Sequence, residues 1–312
     1  MSFALNSGQQ EVWHNGAFNN RRIDIKTGYR TAPNLGCCLL NKVNHLMKHN
    51  FLFTCLLFAF TVTYSQFNTK MHVEYSKNVG DSFEIYISLP KDFDSTTSHD
   101  VVYYCDANLK SGKQLRELIS TNRSNDNLRS HIFVGIGHIG DYHTLRRRDF
   151  ILPTINAKDT VARGKKYGQT EKFYSFLQQE LIPSINTQFK VNANANSIVG
   201  HSLGGLFVFF CLFKSDSLFS KYFALSPALW IDNYSIYRFN KIRSGFNNNK
   251  YLYFASGSKE TINKILTGTN NAAKFFDEKK YKNFTYDYEI WLDKTHNSAV
   301  PLSLEKTLKD KL

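Results

Sequence analysis

The chain has 312 residues, 42% of them hydrophobic, and a formal net charge of +13. That suffices for one domain with a sizeable core, and the composition excludes a collagenous, coiled-coil or wholly disordered chain. Residues 1–65 hold six Lys or Arg against two Asp or Glu, so +9 of the charge belongs to the rest. A dispersed basic surface favours anionic partners in general and selects none of them. No nucleic-acid partner is expected, because neither a basic stripe interleaved with aromatics nor a nucleic-acid-binding module is present.

Residues 1–46 are polar, Asn-rich and without periodicity. Met47-Lys48-His49 then precedes an apolar run from Phe51 to Thr63, and Thr63 and Ser65 stand at the −3 and −1 positions of a cut before Gln66. A basic start, an apolar middle and small residues at the cut describe a secretory signal. The run is too short for a comfortable bilayer span, so no stable membrane insertion is expected. The expectation is a true start at Met47, a signal peptide over 47–65 and an exported domain over 66–312, periplasmic or secreted. Residues 1–46 are then a misassigned or disordered extension. Only Cys105 and Cys211 of the five cysteines fall in the expected mature chain, where they read as buried free thiols. No CxxC and no His/Cys cluster has metal-ligand spacing, so no metal site is expected.

From residue 70 strand-like and helix-like segments alternate. His72–Tyr75 and Ser82–Leu89 read as strands around a Gly80-Asp81 turn, and DVVYYC at 100–105 as a buried central strand. A helix is expected over Lys113–Ser120 and a second buried strand over His131–Ile136. The polar stretch Gly137–Gly168 reads as a functional loop. Glu171–Ile185 has the spacing of an amphipathic helix, with Phe173, Phe176, Leu177, Leu181 and Ile185 on one face. A short strand, Ser197–Val199, runs into Gly200-His201-Ser202-Leu203-Gly204 and a very apolar helix, Leu206–Phe213. Tyr222–Leu225, Tyr251–Ala255 and Thr285–Leu292 read as strands, and Pro301–Leu308 as a closing helix. This alternation predicts an α/β-hydrolase architecture, a mostly parallel sheet with helices on both faces and an antiparallel edge.

GHSLG at 200–204 matches the G-x-S-x-G nucleophile elbow, with a strand before it and an apolar helix after it. The turn exposes Ser202 at the end of the strand, and the helix N-terminus behind it places the Leu203 N–H to bind an oxyanion. A serine nucleophile needs a base, and His296 follows the last strand as the fold's chain order requires. His131, His138 and His143 lie upstream of Ser202, and His201 is expected to point away from it. Glu260, after the strand Tyr251–Ala255, is the candidate acid, with Asp293 and Asp232 as rivals. The second oxyanion donor is expected after the third strand, where Asn108 N–H is the first choice.

These residues resemble the putative-esterase family of α/β-hydrolases, which includes siderophore (trilactone) esterases, S-formylglutathione hydrolases, feruloyl and acetyl-xylan esterases and mycolyltransferases. The resemblance covers nearly all of 70–312. It rests on YYCDANL (103–109), FVGIG (133–137) with RRRDF (146–150), FLQQELIPSI (176–185), VGHSLGGLF (199–207), LSPALW (225–230), ASGSKE (255–260) and THNSAVPLSL (295–304). It is nearest to the siderophore-esterase branch. In the family a DG-x turn after strand three supplies an oxyanion N–H; here Ala107 stands in place of the glycine. Some trilactone esterases work with a Ser–His pair alone, so Glu260 keeps its rivals. The resemblance implies acyl transfer to water by Ser202 and His296, with Leu203 and Asn108 on the oxyanion and no cofactor. It also implies that Arg148, in an Arg-rich segment, faces an anionic group of the substrate, or else that Asp149 pairs with an arginine to pin the loop. Trp230 is expected either as an aromatic wall of the acyl pocket or as a plain core tryptophan. The expected substrate is a small-molecule or oligosaccharide ester. A carbohydrate esterase, an acyltransferase and a non-catalytic binding protein on the same scaffold remain as alternatives, and the oligomeric state is not legible.

Overall fold

The computed structural model describes residues 67–121, 128, 130–153, 161–162, 165–214, 218–261 and 264–312. The expected extension over 1–46 and signal peptide over 47–65 lie outside the described residues. Eight strands build one sheet: β1 Phe67–Ser76, β2 Asp81–Pro90, β3 Asp100–Cys105, β4 His131–His138, β5 Ser197–His201, β6 Lys221–Leu225, β7 Gly245–Gly257 and β8 Lys282–Trp291. Their spatial order is β1-β2-β4-β3-β5-β6-β7-β8. β1 pairs antiparallel with β2 and β2 antiparallel with β4, and every later pairing is parallel. This is the α/β-hydrolase fold. A separate two-stranded hairpin, Val161–Ala162 with Lys165–Lys166, stands apart from the sheet.

The central strands read as continuous apolar runs because helices cover both faces. On one face Leu115 and Ile119 of α1 (Lys110–Thr121) meet Val300 and Leu304 of α7 (Ala299–Lys306). The other face carries α2 (Tyr142–Phe150), α3 (Thr170–Phe176), α4 (Ile182–Gln188), α5 (Leu203–Phe213) and α6 (Ile265–Lys279). Leu177–Leu181 joins α3 to α4 through one π-helical turn, so the expected amphipathic helix is a single run from Thr170 to Gln188. α5 is apolar on all sides, and Gly204 to Phe213 are buried without exception. Its Phe207 packs edge-on against Phe173 of α3, 5.0 Å between ring centroids.

Two helices depart from the sequence expectation. α2 forms inside the polar stretch expected as a loop, and α6 lies where no element was expected. α2 has no apolar stripe to announce it, since only Asp149 and Phe150 are buried. It is started instead by Asp141, whose carboxylate accepts from the Thr144 backbone N–H at 3.4 Å and from the Thr144 hydroxyl at 2.6 Å. Cys105 and Cys211 are buried free thiols, as expected. Among the described residues no helix is long and apolar enough to cross a membrane.

Candidate active site

Three neighbouring strands, β3, β5 and β6, are each followed at once by a non-glycine residue with positive φ: Asp106 at +59°, Ser202 at +59° and Ser226 at +43°. Such backbone is costly, by about 1–3 kcal/mol each, and persists where the surroundings over-determine it. At Ser202, with ψ of −112°, the chain turns sharply from β5 into α5. Three bonds fix the turn. Ser202 N–H donates to Leu225 O at 2.9 Å, and Ser202 O accepts from Leu206 N and Ala228 N, both at 3.0 Å. The glycines of the motif serve this approach. A Cβ on Gly200 would collide with the Gly204 carbonyl, and one on Gly205 would sit 2.9 Å from Pro227 Cα. Leu203 is the first residue of α5, so its N–H is one of the helix's unpaired donors.

Glu260 and His296 come from the loops after β7 and β8. Backbone bonds lace those loops together, Ser258 N to Trp291 O at 2.9 Å and Lys259 N to Lys294 O at 3.0 Å. The result is a 2.6 Å hydrogen bond between His296 Nδ1 and Glu260 Oε2. The Glu260 carboxylate is buried, and its other oxygen accepts from Ser226 Oγ at 2.8 Å and Gly257 N at 2.6 Å. A carboxylate facing Nδ1 puts the ring proton on Nδ1 and leaves Nε2 as the acceptor. The rival acids are engaged elsewhere. Asp293 is exposed and pairs with Lys259 at 3.2 Å, and Asp232 pairs with Arg238 at 2.8 Å.

Ser202 and His296 line two clefts. One, about 260 Å³, is polar and basic, with Asp106, Lys110, Gln114, Tyr142 and Arg146. The other, about 220 Å³, is mostly apolar, with Ile151, Leu203, Trp230, Ile231 and Ile265, and Arg147 as its one cation. Trp230 lines this second cleft. Asn108 follows the Asp106 turn, and its side-chain amide donates to His138 O at 2.7 Å, tying the turn to the end of β4.

Arg148 requires correction. It lines neither cleft, because its guanidinium donates to Asp149 at 2.7 and 2.9 Å and to Asp81 at 2.6 Å. Asp149 is fully buried and also meets His138 Nε2 at 3.0 Å, so Arg148 neutralises a buried carboxylate and pins α2 to β2 and β4. The arginines that reach the clefts are Arg146 and Arg147. Arg146 is itself gripped by Asp106, at 2.6 and 2.8 Å. His201 was also misread. Its ring does not point away from the site but lies on the His296 ring, 4.5 Å between centroids and tilted by 36°. Burial, then the neighbouring His296 and Arg146, push its pKa down to about 3.

Among the described residues no cluster of His, Cys, Asp and Glu has the geometry to hold a metal ion. The site that the fold assembles is a serine elbow with a histidine and a buried acid at the carboxyl ends of parallel strands, the arrangement of a serine hydrolase. The chain belongs to the esterase family described as "Putative esterase", whose model matches residues 76–294. In structure it is similar to the BES protein from Bacillus cereus, with a TM-score of 0.67 and 26% identity over 78% of this chain and 95% of that one. In sequence it is similar to the ferri-bacillibactin esterase BesA of Bacillus subtilis, 28% identical over 179 residues, 55% of this chain and 61% of that protein. It is also similar to the siderophore triacetylfusarinine C esterase of Aspergillus fumigatus, 32% identical over 102 residues, 32% of this chain and 34% of that protein. The matched region spans less than two thirds of both curated relatives.

Proposed function

We propose that the chain is a serine carboxylic-ester hydrolase whose substrates are siderophore esters, the class named for its relatives BesA and the triacetylfusarinine C esterase. The observation that carries the catalytic part is the 2.6 Å bond from His296 to a buried Glu260, on a cleft shared with an elbow serine. Ser202 Oγ attacks the ester carbonyl as His296 Nε2 takes its proton. The new C–O bond turns the carbonyl oxygen into an oxyanion, held by the Leu203 and Asn108 backbone N–H groups. The bond to the alcohol then breaks, and His296 returns the proton to the leaving oxygen. Water repeats the sequence on the acyl-enzyme, with His296 as base, and frees the acid and Ser202. Glu260 keeps the proton on Nδ1 and stabilises the imidazolium formed in each half. The basic cleft with Lys110 and the apolar cleft with Trp230 receive opposite sides of the scissile ester.

Turnover on ferri-bacillibactin, triacetylfusarinine C, acetylated xylan and a feruloyl ester tests the substrate class. The siderophores are expected to be turned over fastest, and Ser202→Ala to lower that turnover by at least about 10³-fold. Faster cleavage of the polysaccharide ester refutes the substrate class, and an active Ser202→Ala refutes the mechanism. The apolar run before Gln66 supports export of the domain after cleavage, to the periplasm or the medium.

A further inference from the structure

We infer that His201 is a positioning residue that locks the loop carrying His296 to the strand carrying Ser202. His201 is the last residue of β5, directly before the elbow, and its ring stands between the cleft and the small space behind it, beside Tyr104 and Leu225. Its ring packs against the His296 ring, 4.5 Å between centroids and tilted by 36°. One side chain on the serine's strand thus bears directly on the ring carried by the neighbouring loop. Glu260 fixes His296 only at Nδ1 and leaves the ring free to swing about that bond. A ring packed against it restricts that freedom, which keeps Nε2 available to Ser202 on the shared clefts.

Charge supports the same role. The charged groups on the clefts around the two rings are Glu260 from the loop after β7, Asp106 after β3, Lys110 of α1, and Arg146 and Arg147 of α2. Arg146 is spent on Asp106 and Glu260 on His296. His201 Nε2 is buried with no partner, and burial holds the ring neutral far below working pH. A neutral ring accepts the imidazolium formed beside it on each proton transfer, whereas a charged one would repel it. A histidine therefore serves here as an uncharged ring wall.

The inference rests on His296 as the base, and the test separates the two. In the full-length protein, His201→Leu and His201→Asn remove the ring face, and His201→Phe keeps it. Each is measured for kcat and KM on p-nitrophenyl acetate from about pH 5 to pH 9, for thermal midpoint, and for the downfield NMR signal of the His296 Nδ1 proton. His201→Leu and His201→Asn are expected to lower kcat about tenfold or more with KM nearly unchanged, to move the acid limb of the pH profile and to broaden the proton signal. His201→Phe is expected to restore a sharp signal and most of kcat. Wild-type kcat, acid limb and signal in His201→Asn overturn the role of His201 while leaving His296 in place. Should His201→Leu not fold, the Asn and Phe variants decide. A wild-type enzyme without the downfield signal removes the His296–Glu260 pair and the inference with it.

Discussion

Replacing Glu260 by glutamine tests the acid at the level of individual atoms. Both donors on the far side of the carboxylate, Ser226 Oγ and Gly257 N, aim at Oε1, while Oε2 alone faces His296 Nδ1. In Glu260→Gln the carbonyl oxygen is held at the Oε1 position and the amide nitrogen falls opposite Nδ1. Two donors cannot face each other, so His296 must move its proton to Nε2 and can no longer accept from Ser202. Flipping the amide would rescue the tautomer, but it turns an NH2 group on the backbone N–H of Gly257. Leaving that buried donor unmet costs about 1–3 kcal/mol, which holds the flipped form to between about one in five and one in 150 at 1.36 kcal/mol per tenfold. The flipped form also lacks the charge that stabilises the imidazolium. We therefore expect kcat to fall by about 10² to 10⁴-fold with KM little changed. The assay is kcat and KM on p-nitrophenyl acetate beside the circular-dichroism melting curve. A folded Glu260→Gln within about tenfold of wild type would falsify the acid assignment. Matched Asn variants at Asp293 and Asp232, both paired on the surface, are expected to be nearly silent.

Two further outcomes follow from the same geometry. Arg146→Leu leaves the buried Asp106 carboxylate without its guanidinium, and the expected loss is about 3–5 kcal/mol in urea unfolding; adding Asp106→Asn should recover part of it, and a loss under about 1 kcal/mol would mean the pair does not hold the turn. A gene beginning at Met47 should yield exported protein whose first residue is Gln66, and Edman sequencing of material exported from the full gene that still carries Met1 to Leu46 would rule out a start at Met47.

The parts of the fold legible in the sequence are those where burial imposes a pattern. DVVYYC and HIFVGIGH are buried along almost their whole length, and the apolar run after GHSLG is an interior helix. The edge pair was legible as well, because a Gly-Asp turn separates two runs of strand formers. α2 and α6 escaped because neither is specified by a strong apolar stripe. α2 rests on a polar cap and on buried charge, and α6 carries Gly268, Thr269, Asn270 and Asn271 in its middle, all poor helix formers. Tertiary packing of Ala272 and Phe276 onto the sheet overrides that local preference.

The site divides along the same line. Ser202, His296 and Glu260 are legible because chain order constrains them: one element end each, in a sequence the fold dictates. Side-chain direction is not constrained in that way. RRR at 146–148 places three identical groups on successive positions of one helix, about 100° apart, so each faces a different neighbour. One is held by Asp106 on the polar cleft, one stands on the apolar cleft, and one is turned inward to Asp149 and Asp81. The partner that selects the inward arginine is Asp81, 67 residues earlier, at the start of strand β2. His201 escaped for a related reason. Adjacency to Ser202 suggested an opposite direction, as on a regular strand, but the elbow breaks strand alternation at that bond, with Ser202 at φ +59°. The strain that exposes the nucleophile is therefore also what allows two consecutive side chains to serve one site.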